Sequence, residues 1–134
     1  MAIAWTPDRE TGAPTFDGEC RELIGRLNGL VSTVAAGADR ALVERSLRVV
    51  GDRAVRHFSR DEDCSMKARC PALEDNGLAR AELIAILARF RTDYERGGER
   101  SAMAGGLEQA LVAWVDRYLP GPDPAGRPCV AAGL

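Results

Sequence analysis

The sequence predicts an all-α fold: an antiparallel up-down-up-down four-helix bundle, with an N-terminal arm and a C-terminal tail. Apolar residues recur at steps of three and four in four separate stretches, which is the spacing of a buried helix face. Glycine and proline separate the stretches, and none shows the alternation of a strand. Short connections favour antiparallel neighbours. A chain of 134 residues suits one domain, with the arm at 1–16, the bundle at 17–119 and the tail at 120–134.

Proline and glycine are too frequent in the arm for it to form a helix. We expect its Trp5 to pack on the helical bundle. Asp17 is a plausible N-cap for the first helix, which ends near Gly37. The second helix runs from about Asp39 to Lys67.

Pro71 suits the first turn of the third helix, which ends at Gly97 and Gly98. Ser101 is the predicted cap of the fourth helix, and the prolines from Pro120 onward end it.

Polar residues occur on the predicted seams, the lines of residues that each helix turns towards the core. His57, the single histidine, lies one helical turn before Asp61 on the second seam, and a carboxylate buried there requires a partner. Folding the chain about the three predicted turns brings the polar seam residues to similar heights in one half of the bundle. They are Cys20, His57, Asp61, Asn76, Arg80 and Tyr118.

Several motifs carry a family resemblance over nearly the whole chain. They are the arm around Trp5, the run from Asp17 through Cys20, the stretch His57-Phe58-Ser-Arg-Asp61-Glu62, and the end of the fourth helix from Trp114 to Asp123. With this spacing the chain resembles the bacterial hemerythrins, four-helix bundles that bind oxygen at two irons held by five histidines and two carboxylates.

The resemblance implies a degenerate ligand set. At the family's ligand positions this chain has Cys20, His57, Asp61, Asn76, Arg80, Tyr118 and Asp123. One histidine of five remains, and an arginine offers a permanent charge and no lone pair. We therefore expect the di-iron site to be lost, with no cofactor, and Arg80 to bridge Asp61 and Asp123 in a polar core. The implied role is a small binding or sensing module.

Two alternatives stay open. Cys20, His57, Asp61 and Asp123 offer sulfur, nitrogen and oxygen ligands for one zinc or iron ion in a rebuilt mononuclear site. The second alternative is a thiol-based redox sensor, because an arginine near a cysteine such as Cys64 lowers the pKa of its thiol.

Net charge, hydropathy, cysteine spacing and motifs argue against several classes of function. The net charge of −2 gives no reason to expect nucleic acid, and no apolar run is long enough to cross a membrane. The four cysteines have no CxxC spacing, which indicates reduced thiols. We therefore expect a cytoplasmic protein. No nucleophile motif or phosphate loop is visible, so no enzyme is predicted. The partner, a protein or a small molecule, is not specified, and the chain is expected to be a monomer or a homodimer.

Overall fold

The computed structural model describes residues 3–9, 14–68 and 73–118, and within these ranges it describes no side chains at 14–16, 55–68 and 73–76. The described residues form a short 3-10 turn, Pro7–Arg9, and four helices with no strand among them. The helices are α1 (Pro14–Ala35), α2 (Arg40–Ala68), α3 (Leu73–Glu95) and α4 (Arg100–Tyr118). Contacts join α1 to α2, α2 to α3, α3 to α4 and α1 to α4, as expected of a bundle.

The ends of α1 and α3 have the same cap. Gly37 and Gly97 have φ angles of 73° and 76°, the left-handed region that glycine tolerates best. After α1, the Ala38 amide donates to the Thr33 carbonyl at 3.2 Å, and after α3 the Gly98 amide donates to the Asp93 carbonyl at 3.1 Å. These are the bonds of a Schellman motif, and they confirm the predicted helix ends.

Two of the predicted helix starts are wrong. The first helix already includes Pro14, so Asp17 lies in its first turn and is not the N-cap. Proline suits the start of a helix, and an acid in the first turn complements the helix dipole. In α4 the cap is Glu99, whose carboxylate accepts from the amides of Ser101 at 3.0 Å and Ala102 at 2.7 Å. Glu99 therefore satisfies these amides from the position just before the helix, and Ser101 does not act as the cap.

The start of α2 confirms the prediction to within one residue. The Asp39 carboxylate accepts from the Leu42 amide at 2.9 Å, which satisfies one of the amides that have no partner inside the helix.

The core consists mainly of the predicted seams. Buried residues on these seams are Cys20, Leu23, Leu27, Leu30 and Val34 in α1, Val43, Leu47, Val50 and Ala54 in α2, Leu83 and Phe90 in α3, and Leu107, Leu111 and Trp114 in α4. In α3 the buried residue beside Arg80 is Ala79, while Arg80 itself is half-buried. None of the described helices is long and apolar enough to cross a membrane.

The arm packs across the bundle. Ile3 is buried, and its amide and carbonyl bond to both ends of the Asn28 side-chain amide, at 2.8 and 2.7 Å. Trp5 packs against the core, as predicted. Arg9 donates to the Val115 carbonyl at 3.2 Å and pairs with Asp116. The arm therefore ties α1 to the end of α4.

Candidate functional site

Cys20 is the site residue nearest the start of the chain. It lies in the first half of α1, where its exposed fraction is 0%. The neighbouring seam residues, Leu23 and Ile24, are also buried. Cys20 therefore faces the core, where it has the position expected of either a ligand or a small apolar residue.

Arg80 and Tyr118 lie on two helices whose relative height is set by a buried hydrogen bond. The indole nitrogen of Trp114 donates to the Ala79 carbonyl at 2.8 Å. One turn after Trp114, Tyr118 is half-buried and packs against the core, with its ring centroid 6.2 Å from that of Trp114. The Arg117 guanidinium lies over the Tyr118 ring, 5.7 Å from the centroid. Arg80 and Tyr118 thus lie near the same end of the α3–α4 pair.

The remaining predicted site residues are not described at the level of side chains. His57 and Asp61 lie in α2 and Asn76 lies in α3, but their side chains are outside the described set. Asp123 lies outside the described residues altogether. The structure therefore describes three side chains of the predicted site, namely Cys20, Arg80 and Tyr118.

Most of the predicted reactive cysteines and metal ligands also lie among the residues or side chains that the structure does not describe. The Cys64 side chain is outside the described set, and Cys70 and Cys129 lie outside the described residues. Among the side chains that the structure describes, no three from His, Cys, Asp and Glu come together as a metal site. Of the predicted mononuclear set, only Cys20 belongs to those side chains.

Sequence reasoning missed Asp17 as a core residue. Its exposed fraction is 2%, although it lies in the first turn of α1. Asp17 precedes Cys20 by three residues and so continues the α1 seam, but an acid near a helix start equally suits an exposed cap, so periodicity alone does not decide its burial. Asp17 adds a buried carboxylate at the same end of α1 as Cys20, and it makes contacts there.

Comparison with protein-family models, with curated proteins and with solved structures finds no match for this chain. The resemblance to hemerythrins therefore rests on the motifs of the sequence itself.

Proposed function

We propose that this chain is a hemerythrin-like, antiparallel up-down-up-down bundle that has exchanged the di-iron site for a polar core and serves as a small cytoplasmic binding or sensing module without enzymatic activity. The observation that carries the proposal is the complete burial of Cys20 at the position of the family's first-helix histidine. A core position is retained there while its ligand chemistry has changed.

Ion pairs between the helices support the antiparallel topology. Arg40 and Glu44 of α2 approach Glu95 and Arg91 of α3 at 3.9 and 3.6 Å, so numbers rise along one helix as they fall along the other. Between the turns, the Arg100 guanidinium donates to the Ala38 carbonyl at 2.6 Å, so the turns after α1 and α3 lie at the same end.

The antiparallel register between the helices also supports a layer of polar residues at the height of His57. Glu22 of α1 pairs with Arg53 of α2 at 2.5 Å, so an antiparallel register brings Cys20 level with about residue 55. The two ion pairs between α2 and α3 set a register that brings Arg80 level with about the same residue of α2. His57 is then closest in height to both, and Asp61 lies about one turn further along α2.

The donor set does not fit a pair of irons. Five imidazoles are replaced by one, and the side chains of Arg80 and Asn76 bring no imidazole lone pair. Two carboxylates left together in a core would tend to protonate, whereas an arginine can hold both in their ionised form. Arg80 between Asp61 and Asp123 thus replaces the metal charge in this proposal. Asp17, buried near Cys20, adds a further acid to the layer.

A rebuilt mononuclear zinc or iron site is the second candidate, and the inward-facing Cys20 favours it. Cys20, His57 and Asp61, with Asp123, would hold the ion, and the ion would supply Lewis-acid chemistry.

Metal analysis separates the two candidates. Untagged protein is purified without chelator and its metal content is measured by plasma mass spectrometry, beside the double variant Cys20→Ala, His57→Ala and the control Cys70→Ala. We expect no stoichiometric metal in any sample. About one equivalent that the double variant loses and the control keeps would establish the mononuclear site. Two irons per chain would overturn the proposal.

Stability measurements test the polar core directly. Arg80→Ala should lower the free energy of unfolding by about 2 kcal/mol, because the acids it neutralises lose their partner. Arg48→Ala, an exposed arginine of α2, is the control and should change it by less than about 0.5 kcal/mol. Equal, small effects of both substitutions in chemical denaturation would refute the Arg80 core.

A further inference from the structure

The N-terminal arm crosses the edge where α1 contacts α4. At its start, the Asn28 side chain of α1 holds the Ile3 backbone with hydrogen bonds of 2.8 and 2.7 Å. At its other end, the Arg9 guanidinium donates to the Val115 carbonyl of α4 at 3.2 Å and pairs with Asp116. Each end of the described arm is therefore fixed to a different helix, and the residues between them span the edge.

The second end of the arm lies at the height of Cys20. The Arg100 guanidinium donates to the Ala38 carbonyl, so α4 begins beside the end of α1. Cys20 precedes the end of α1 by as many residues as Val115 follows the start of α4. Because each residue adds the same rise along a helix, two antiparallel helices bring Cys20 and Val115 level. Arg9 therefore binds α4 at the height of the buried thiol.

The face of α1 that the arm follows carries a buried acid. Asp17 lies about three helical turns before Asn28, and Ile24 lies about one turn before it, so the three share a face. Asp17 and Ile24 are both buried. Ile3 of the arm belongs to the same buried cluster as Cys20. The arm thus covers the side of α1 from which Asp17 and Cys20 are approached.

The groove on the other side of α4 has no such cover. It opens between α3 and α4 with a volume of about 570 Å³, and no residue of the described arm lines it. Its lining includes Phe90, Met103, Gly106 and Leu107, which lie nearer the turns than Cys20 and Arg80 do. The arm therefore covers the edge beside the candidate site and leaves the more distant groove open.

The arm has few buried contacts compared with the helices. Of residues 3–9, Ile3 alone is buried, and Ala4, Pro7 and Asp8 are exposed. Segments with few buried apolar contacts open at a lower free energy than the fold as a whole. We therefore expect the arm to leave the bundle while the four helices stay folded.

We propose that residues 3–9 form a strap that opens without unfolding of the bundle and thereby controls the access of small molecules to the layer of Cys20 and Asp17. This inference rests on the proposed function, because that layer is the site whose access the strap regulates. The closed strap keeps the thiol and the carboxylate from water. The open strap lets a small molecule reach them from the edge between α1 and α4.

Thiol labelling of the full chain measures this access. N-ethylmaleimide is the probe, and peptide mass spectrometry follows Cys20 separately from the other three cysteines. We expect Cys20 to react slowly, at a rate that changes little at low urea concentrations, because local opening exposes little surface. Circular dichroism gives the global unfolding of the same samples. A Cys20 rate with the same urea dependence as global unfolding would overturn the proposal.

Asn28→Ala releases the first end of the strap. It should accelerate the labelling of Cys20 at least about tenfold, since two hydrogen bonds of the closed strap are lost. Leu87→Ala is the control, because Leu87 packs against the core from α3, away from the edge between α1 and α4. This control makes global unfolding easier and should leave the Cys20 rate without urea unchanged. Equal acceleration in the two variants would refute the strap.

Asp116→Asn releases the second end by a milder change. The Asp116 side chain is exposed by 61%, so the variant should keep its fold. Loss of the ion pair with Arg9 should accelerate Cys20 labelling about two- to fourfold. Glu82→Gln is the matched control, because it removes the ion pair with Arg117 between α3 and α4. Equal Cys20 rates in these two variants would contradict the role of Arg9 in closing the strap.

The strap and the proposed function can fail separately. If Cys20 labelling follows global unfolding while Arg80→Ala destabilises a metal-free chain, the strap is refuted and the polar core stands. If Asn28→Ala accelerates the labelling while the protein holds two irons, the strap stands and the proposed function is refuted.

Discussion

The two halves of the bundle bury their apolar residues to different extents. In α1 and α2 the seam positions from Cys20 to Val34 and from Val43 to Ala54 are all buried. In α3 and α4 the corresponding Leu87, Tyr94 and Met103 are only partly buried. Among the side chains that the structure describes, the seams of α1 and α2 are therefore the more completely buried, and α3 and α4 keep accessible apolar surface.

The difference arises from how apolar residues are distributed around each helix. In α3 they are spread to several faces, so Leu78 and Ile84 point to solvent while Leu83 has no exposed surface. In α4, Gly106 is exposed and lines the groove between α3 and α4 without a side chain. A bundle can thus bury its seams in one half and keep an open groove in the other.

The largest expected effect comes from one substitution made in both halves. Leu27→Ala, at a position with 0% exposure in α1, should lower the free energy of unfolding by about 3 kcal/mol. Leu87→Ala, at a partly buried position in α3, should cost about 1.5 kcal/mol, because fewer contacts are lost and solvent can fill the space. Urea denaturation of both variants measures the difference, and equal costs would remove the distinction between the halves.

The arm provides the next largest effect, since Asn28 of α1 bonds to both polar groups of the Ile3 backbone. Asn28→Ala removes both hydrogen bonds to the Ile3 backbone and should cost about 2 kcal/mol. Hydrogen exchange at the Ile3 amide should accelerate accordingly. Thr33→Ala is the control, because the Thr33 hydroxyl donates to the Gly29 carbonyl of its own helix. Unchanged protection of Ile3 in Asn28→Ala would show that other contacts hold the arm.

Glycine substitutions should stabilise the open half. Gly105→Ala and Gly106→Ala should each raise the free energy of unfolding by roughly 0.5–1 kcal/mol, since alanine favours a helix and a Cβ meets no other atom at either position. Gly37→Ala should instead be destabilising, because its φ of 73° strains any residue with a Cβ. Thermal melts of the three variants give the signs, and a destabilised Gly106→Ala would mean that the groove wall is closely packed.

The smallest effect concerns Asp8 in the arm. A hydrogen bond from the Thr6 side chain is the main cause that lowers the pKa of the Asp8 carboxyl below its ordinary value of 3.8. A lowered pKa in the folded state means that the contribution to stability is present above pH 3.8 and is lost as the pH falls through the folded-state pKa. An NMR titration should show this lowered pKa, and Thr6→Val should raise it. An ordinary pKa for Asp8 in the unsubstituted protein would contradict the contact.

The candidate site was predictable where it depends on helix periodicity. Cys20 is buried as its seam position predicts, and Trp114 and Ala79 bring Arg80 and Tyr118 to the same end of their helix pair. Asp17 was not predicted as a core residue, because acids near a helix start are usually caps exposed to water. Its burial depends on what packs over the first turn of α1.

The groove shows the same limit of sequence patterns. Glycine lowers helix propensity, so Gly105 and Gly106 by themselves indicate only a less stable helix, and α4 is continuous through both. That one of them lines a cavity depends on the distance between α3 and α4, which no pattern within one helix contains.

The sequence by itself determined the four helices, their inward faces and the turns at Gly37 and Gly97, because periodicity and a positive φ are local properties of the chain. Only the tertiary structure decided that Asn28 holds Ile3, that Asp17 is buried and that a groove opens beside Gly106. Each of these depends on residues far apart in sequence, and burial is a property of the neighbours that surround a side chain.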